Sequence, residues 1–124
     1  MSYIVASDIK SNLVSGFDIE EYIEESDLEV NDVAEKLGIR DTSLISTPVH
    51  YKIKRYAIVF VQMRLAQDKR GTASQDVALD KYRDQQEMYE AELKRIYPQL
   101  TYEMFTGTVN SQIGRTATNE FYRG

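Results

Sequence analysis

Apolar positions in this chain recur with helical spacing rather than in alternation. The longest apolar run, Tyr56-Ala57-Ile58-Val59-Phe60-Val61, lies within PVHYKIKRYAIVFVQMRLAQDKR, Pro48 to Arg70. A run this short fits a buried strand or a buried helix, so its flanks must arbitrate. Thr47 can cap a helix, Pro48 suits the first helical position, and Gly71 follows a cationic last turn of Lys69 and Arg70. The expectation is a helix of about 23 residues, roughly 34 Å long. Val49, Ile53, Tyr56, Phe60 and Met63 share one face, and Ala57, Ile58, Val61 and Leu65 widen the apolar surface most of the way round. Such a helix needs neighbours on two or three sides. Lys52, Lys54, Arg55 and Arg64 interrupt it too often for a membrane span, which takes about 18 apolar residues.

The other elements are expected to be helices too. Ser7-Asp8, with Ile9, Leu13 and Val14, predicts a short capped helix ending near Gly16. Asp18 opens DIEEYIEESDLEV, where Ile19, Tyr22 and Ile23 share a face and the carboxylates crowd the positive helix N-terminus. Ser26-Asp27 reads as a break, Asn31-Asp32 as a fresh cap for Val33 to Leu37, and Gly38 as a stop. After a polar connector, Gly71 to Gln75, Asp76 caps a helix over Val77 to Tyr97. There Leu79, Tyr82, Gln86, Tyr89, Leu93 and Ile96 alternate spacings of three and four, the seam of a helix packed along a partner. Pro98 ends it. Leu100, Met104 and Phe105 form one last turn or a short strand. The predicted packing core is Ile53, Tyr56, Phe60, Met63, Leu79, Tyr82, Tyr89, Leu93 and Ile96. The fold class is all-α: a small bundle (residues 1–106) around a long central helix. An extended C-terminal arm (residues 107–124) follows, polar and weakly patterned.

At 124 residues the chain has the size of one domain. It contains no cysteine, which excludes disulfide and thiolate chemistry, and Met1 to Val14 lacks the basic start and apolar stretch of a secretory leader. The net charge of −5 is unevenly spread: residues 1–35 hold ten acidic side chains against Lys10, and residues 36–124 hold ten acidic against fourteen basic. This fits either a solvated acidic face or opposite ends that complement each other head to tail.

Chemistry-bearing patterns are scarce. His50 is the only histidine, and neither a His-Glu-x-x-His spacing nor a Gly-x-Ser-x-Gly elbow is present. The carboxylates Glu20, Glu21, Glu24 and Glu25 sit in an unbroken charged context, whereas acid–base catalysis needs a desolvated carboxyl. No enzyme activity, catalytic residue, metal or cofactor is expected. Val30 to Ser46 has the cadence of a helix-turn-helix, with Gly38 in the turn. The alternative function is therefore a DNA-binding regulator using residues 30–46, although Arg40, Asp41, Thr42 and Ser43 form a poor base-reading set after so acidic a segment.

The order of these features resembles the head–tail connector (adaptor) proteins of tailed bacteriophages. The resemblance rests on the capped N-terminal segment, the acidic DIEEYIEESDLEVNDVAEKLG, the long helix HYKIKRYAIVFVQMRLAQDKRG, the helix DKYRDQQEMYEAELKRI and the irregular tail ending FYRG. It implies a structural virion protein, assembled in the host cytoplasm and placed in the neck. The implied partners are the portal, a tail or stopper protein, and other copies of the chain in a commonly dodecameric ring. DNA passes through that ring without sequence-specific binding, and no membrane is involved. The family's irregular C-terminal segments dock on the portal; carried over, that points to Gln112 to Gly124, with Arg115, Phe121, Tyr122 and Arg123 as binding residues.

Overall fold

The computed structural model describes residues 2–9, 18–72 and 76–107. These form α1 (Ile19–Lys36), α2 (Tyr51–Thr72), α3 (Asp76–Ile96) and the short α4 (Tyr102–Thr106), with single 3-10 turns at Ala6–Asp8, Thr42–Leu44 and Tyr97–Gln99. The protein is all-α, with α2 packed between α1 and α3. The expected arm from residue 108 onward lies outside the described residues, and with it Arg115, Phe121, Tyr122 and Arg123.

α1 is one helix of 18 residues, not two. The polar residues that read as a break and a cap are engaged elsewhere. Ser26 is fully buried and its hydroxyl donates to the Ile23 carbonyl at 2.7 Å. The Asp27 carboxylate accepts from the Ser2 hydroxyl and the Tyr3 N–H, and Asn31 accepts from the Tyr3 phenol. Asp32 pairs with Lys36 one turn on. Ser26 bonds back one turn within the helix and Asp27, Asn31 and Asp32 are taken by other side chains or a distant N–H, so none caps a new helix start. At the N-terminus the Asp18 carboxylate accepts from the Glu20 N–H. At the C-terminus Gly38, at φ +95°, lets its own N–H reach Glu35 and that of Ile39 reach Ala34, a Schellman closure. The short helix expected over Ser7–Ser15 is not continuous: Ile9 is extended after one 3-10 turn, and residues 10–17 are outside the described set.

α2 starts three residues later than expected. Thr47–Pro48 is a cis peptide, and His50 supplies the cap, its Nδ1 accepting from the Lys52 N–H at 3.1 Å. Gly71 lies inside the helix. The completely buried residues of α2 are Ile53, Ala57, Val61, Leu65 and Ala66, with Tyr56 and Val59 nearly so. Phe60 and Met63, expected in the core, are half-buried. An helix apolar most of the way round cannot announce which stripe will face its neighbours; the placement of α1 and α3 decides it.

α3 runs antiparallel to α2, tied by Arg55 to Glu92 and by Lys52 to Gln99. Of its predicted seam, Ile96 is buried and Tyr82, Tyr89 and Leu93 pack half-buried against the core. Leu79 belongs to α3, but its side chain is outside the described set. Thr101 caps α4, whose Phe105 is fully buried and whose Phe105 carbonyl accepts from the Ser46 N–H at 2.8 Å. The segment around Leu100 to Phe105 is thus a helical turn, not a strand.

Candidate functional site

α2 holds its neighbours through polar ties that flank the apolar core. Towards α1, the Tyr22 phenol donates to Asp68, Arg64 donates to Glu25 at 3.1 Å, and the Tyr56 phenol donates to Glu29 at 2.8 Å. Burial and the adjoining carboxylates raise both phenols above their ordinary 10. Towards α3, Arg55 and Arg95 both donate to Glu92, each with a contact of 2.6 Å. The two guanidiniums hold the Glu92 carboxyl down from 4.5 to about 2. Glu25 and Glu29 are therefore structural partners of α2.

The residues singled out for chemistry do not converge. His50 caps α2 and stacks on Tyr51 with ring centroids 4.7 Å apart. Among the described residues no three His, Asp or Glu side chains are grouped to hold a metal ion, and no helix is long and apolar enough to cross a membrane. Glu20, Glu21 and Glu24 are exposed on α1 rather than set in a cleft. In the helix-turn-helix candidate, residues 39–46 contain only the three-residue 3-10 turn Thr42–Leu44, capped by Asp41. A recognition helix must be long enough to lie in the major groove, and one turn is not.

What the surface does offer is an acidic ridge on α1 and a groove between α2 and α3. α1 carries eight acidic side chains against Lys36 alone. Glu21, Glu24, Leu28, Asp32 and Glu35, spaced by three or four, form one exposed ridge on the side away from the buried stripe. Leu28 is 70% exposed in the middle of that ridge, beside a hollow of about 300 Å³ that reaches Ile39 and Thr42. α2 is cationic, with six basic side chains against Asp68. Between α2 and α3 runs a groove of about 280 Å³, lined by Arg55, Ile58, Val59, Gln62, Met88, Tyr89 and Glu92, with Met88 57% exposed. Sequence reasoning missed Leu28 and Met88. The available signal was an apolar residue lying off each helix's core stripe, which is uninformative until the stripes themselves are known. No protein-family model, characterised protein or solved structure matches the chain.

Proposed function

We propose that this protein is a non-enzymatic assembly component of a tailed-bacteriophage virion, a head–tail adaptor. Copies form a homo-oligomeric ring at the neck, between the portal and a tail or stopper protein, around the DNA channel. The observation that carries the reading is the uneven charge of the helices: α1 carries eight acidic side chains against Lys36, with Glu21, Glu24, Asp32 and Glu35 exposed on one ridge, and α2 carries six basic against Asp68. A head-to-tail contact between unlike surfaces gives a ring where its rotation closes. An acidic helix also suits a channel that must let DNA pass, because phosphate binding needs Lys and Arg. In this reading residues 107–124 form the arm that reaches the portal, with Arg115, Phe121, Tyr122 and Arg123 as its anchors. The regulator reading is weakened by the single 3-10 turn where a recognition helix is required.

The test is co-sedimentation of the full chain with the portal ring encoded in the same genome. The full chain should bind, and a chain lacking Gln112 to Gly124 should melt cooperatively but remain unbound. Failure of the full chain to bind counts against the adaptor. In parallel, duplex DNA should bind weakly across a salt titration; tight binding with a steep negative salt slope would instead establish the regulator.

A further inference from the structure

We infer that residues 2–9 are a latch that decides whether α1 is one helix or two. Left to its own sequence, α1 is a poor single helix. Glu20 and Glu24, Glu21 and Glu25, and Glu25 and Glu29 each set like charges one turn apart, which destabilises a helix. Asp27, Asn31 and Asp32 are residue types that compete with the helical backbone and favour caps. They fall within residues 26–32, where the sequence predicts a break and a restart. The helix is nonetheless continuous there, and the N-terminal segment supplies the ties. The Ser2 hydroxyl and the Tyr3 N–H donate to the two Asp27 carboxylate oxygens at 2.9 and 3.1 Å, and the Tyr3 phenol donates to Asn31.

The segment is built to be held by side chains. Tyr3, Ile4 and Ile9 are buried, and Asp8 accepts from the Val5 N–H at 2.9 Å and pairs with Lys54 of α2 at 3.5 Å. Its only regular structure is the 3-10 turn Ala6–Asp8, so it carries no backbone ladder to another element. Such a segment can open locally, at less cost than unfolding the helices beneath it. Once it opens, Asp27 and Asn31 lose their distant partners, and Asn31 or Asp32 is free to cap a new helix at Val33. The first turns of α1 stay docked on α2 through Tyr22 to Asp68 and Arg64 to Glu25. With the latch closed, Glu21, Glu24, Asp32 and Glu35 form one exposed ridge; with it open, the two halves of that ridge turn independently.

Native-state hydrogen exchange of the backbone amides in the full chain tests the latch. Tyr3→Ala combined with Ile4→Ala releases it, and the amides of residues 27–34 should then exchange at least about ten-fold faster relative to those of α3. Adding Asp27→Ala, Asn31→Ala and Asp32→Ala to the released chain should restore that ratio, because alanine neither caps nor competes with the helix. A segment that merely adds stability predicts the opposite, since the three further substitutions would then restore nothing. Tyr3→Phe keeps the buried ring and removes only the bond to Asn31, and it should speed the same amides by a smaller factor. Equal acceleration in α1, α2 and α3, or no restoration by the three alanines, overturns the latch. Should the released chain fail to fold, Tyr3→Phe decides alone: no selective change over residues 27–34 overturns it.

Discussion

Arg55 and Arg64 stand on opposite sides of α2, and each binds a carboxylate from a different helix: Glu92 of α3 at 2.6 Å and Glu25 of α1 at 3.1 Å. The two ties differ in environment. The Arg55 side chain is 57% exposed, that of Arg64 only 27%, and Arg64 also lies 3.6 Å from Asp68. Solvent screening removes most of the value of an exposed pair. Arg64→Ala should therefore lower stability by roughly 1 kcal/mol, and Arg55→Ala by less. Urea unfolding of both variants checks this, and the reverse order would contradict it.

The Glu92 clamp should shape the acid limb of the stability curve. Its carboxyl falls from 4.5 to about 2 in the folded state, chiefly through hydrogen bonds from Arg95 and then Arg55. A depressed carboxyl contributes stability that is fully present above its unfolded pKa and lost as pH falls. That contribution should fade between about pH 4.5 and pH 2, and Glu92→Gln should flatten this part of the curve. At the alkaline end the sign reverses. The raised phenols of Tyr22 and Tyr56 contribute stability below their ordinary 10 that is lost as pH rises beyond it. Urea midpoints measured from pH 2 to 11 test both limbs.

Two glycines predict opposite outcomes for the same substitution. Gly38 closes α1 at φ +95°, and a Cβ there meets nothing within 4 Å, so the penalty is purely that of the backbone. Gly38→Ala should destabilise by about 1–2 kcal/mol. Gly71 is helical and also has open space around it, and Gly71→Ala should stabilise by about 0.5 kcal/mol. Thermal melts of the two variants should move in opposite directions.

Phe105 gives a test of whether α4 belongs to the main core. It is fully buried although its helix has only five residues. Phe105→Ala should cost about 3–5 kcal/mol, as for other buried aromatic truncations. A loss below about 1 kcal/mol in urea titration would show that α4 is a loosely held appendage.

Some of this fold was legible before the structure. The α3 seam of Tyr82, Tyr89, Leu93 and Ile96 could be read because the intervening residues are mostly charged or polar, leaving one stripe to bury. The stop at Gly38 could be read because only a few residue types tolerate its backbone angles. The continuity of α1 could not be read, because Asp27 and Asn31 bind Ser2 and Tyr3, 24 or more residues away. Nor could the buried stripe of α2, where Phe60 looked as suited to the core as Ala57 or Val61. The α1 ridge was half legible. The acidity of α1 is plain from composition, but Leu28 acquires meaning only once it is found pointing away from the stripe that faces α2.

The sequence by itself determined that the chain is helical, roughly where each helix lies, and that charge is divided between its two ends. These follow from spacing, capping and composition, which act over one or two turns. Only the tertiary structure decided that α1 is unbroken, which face of α2 is buried, and which apolar side chains remain on the surface. Those outcomes depend on which distant partner satisfies each polar group and which helix covers each stripe, and residue spacing along the chain carries no such information.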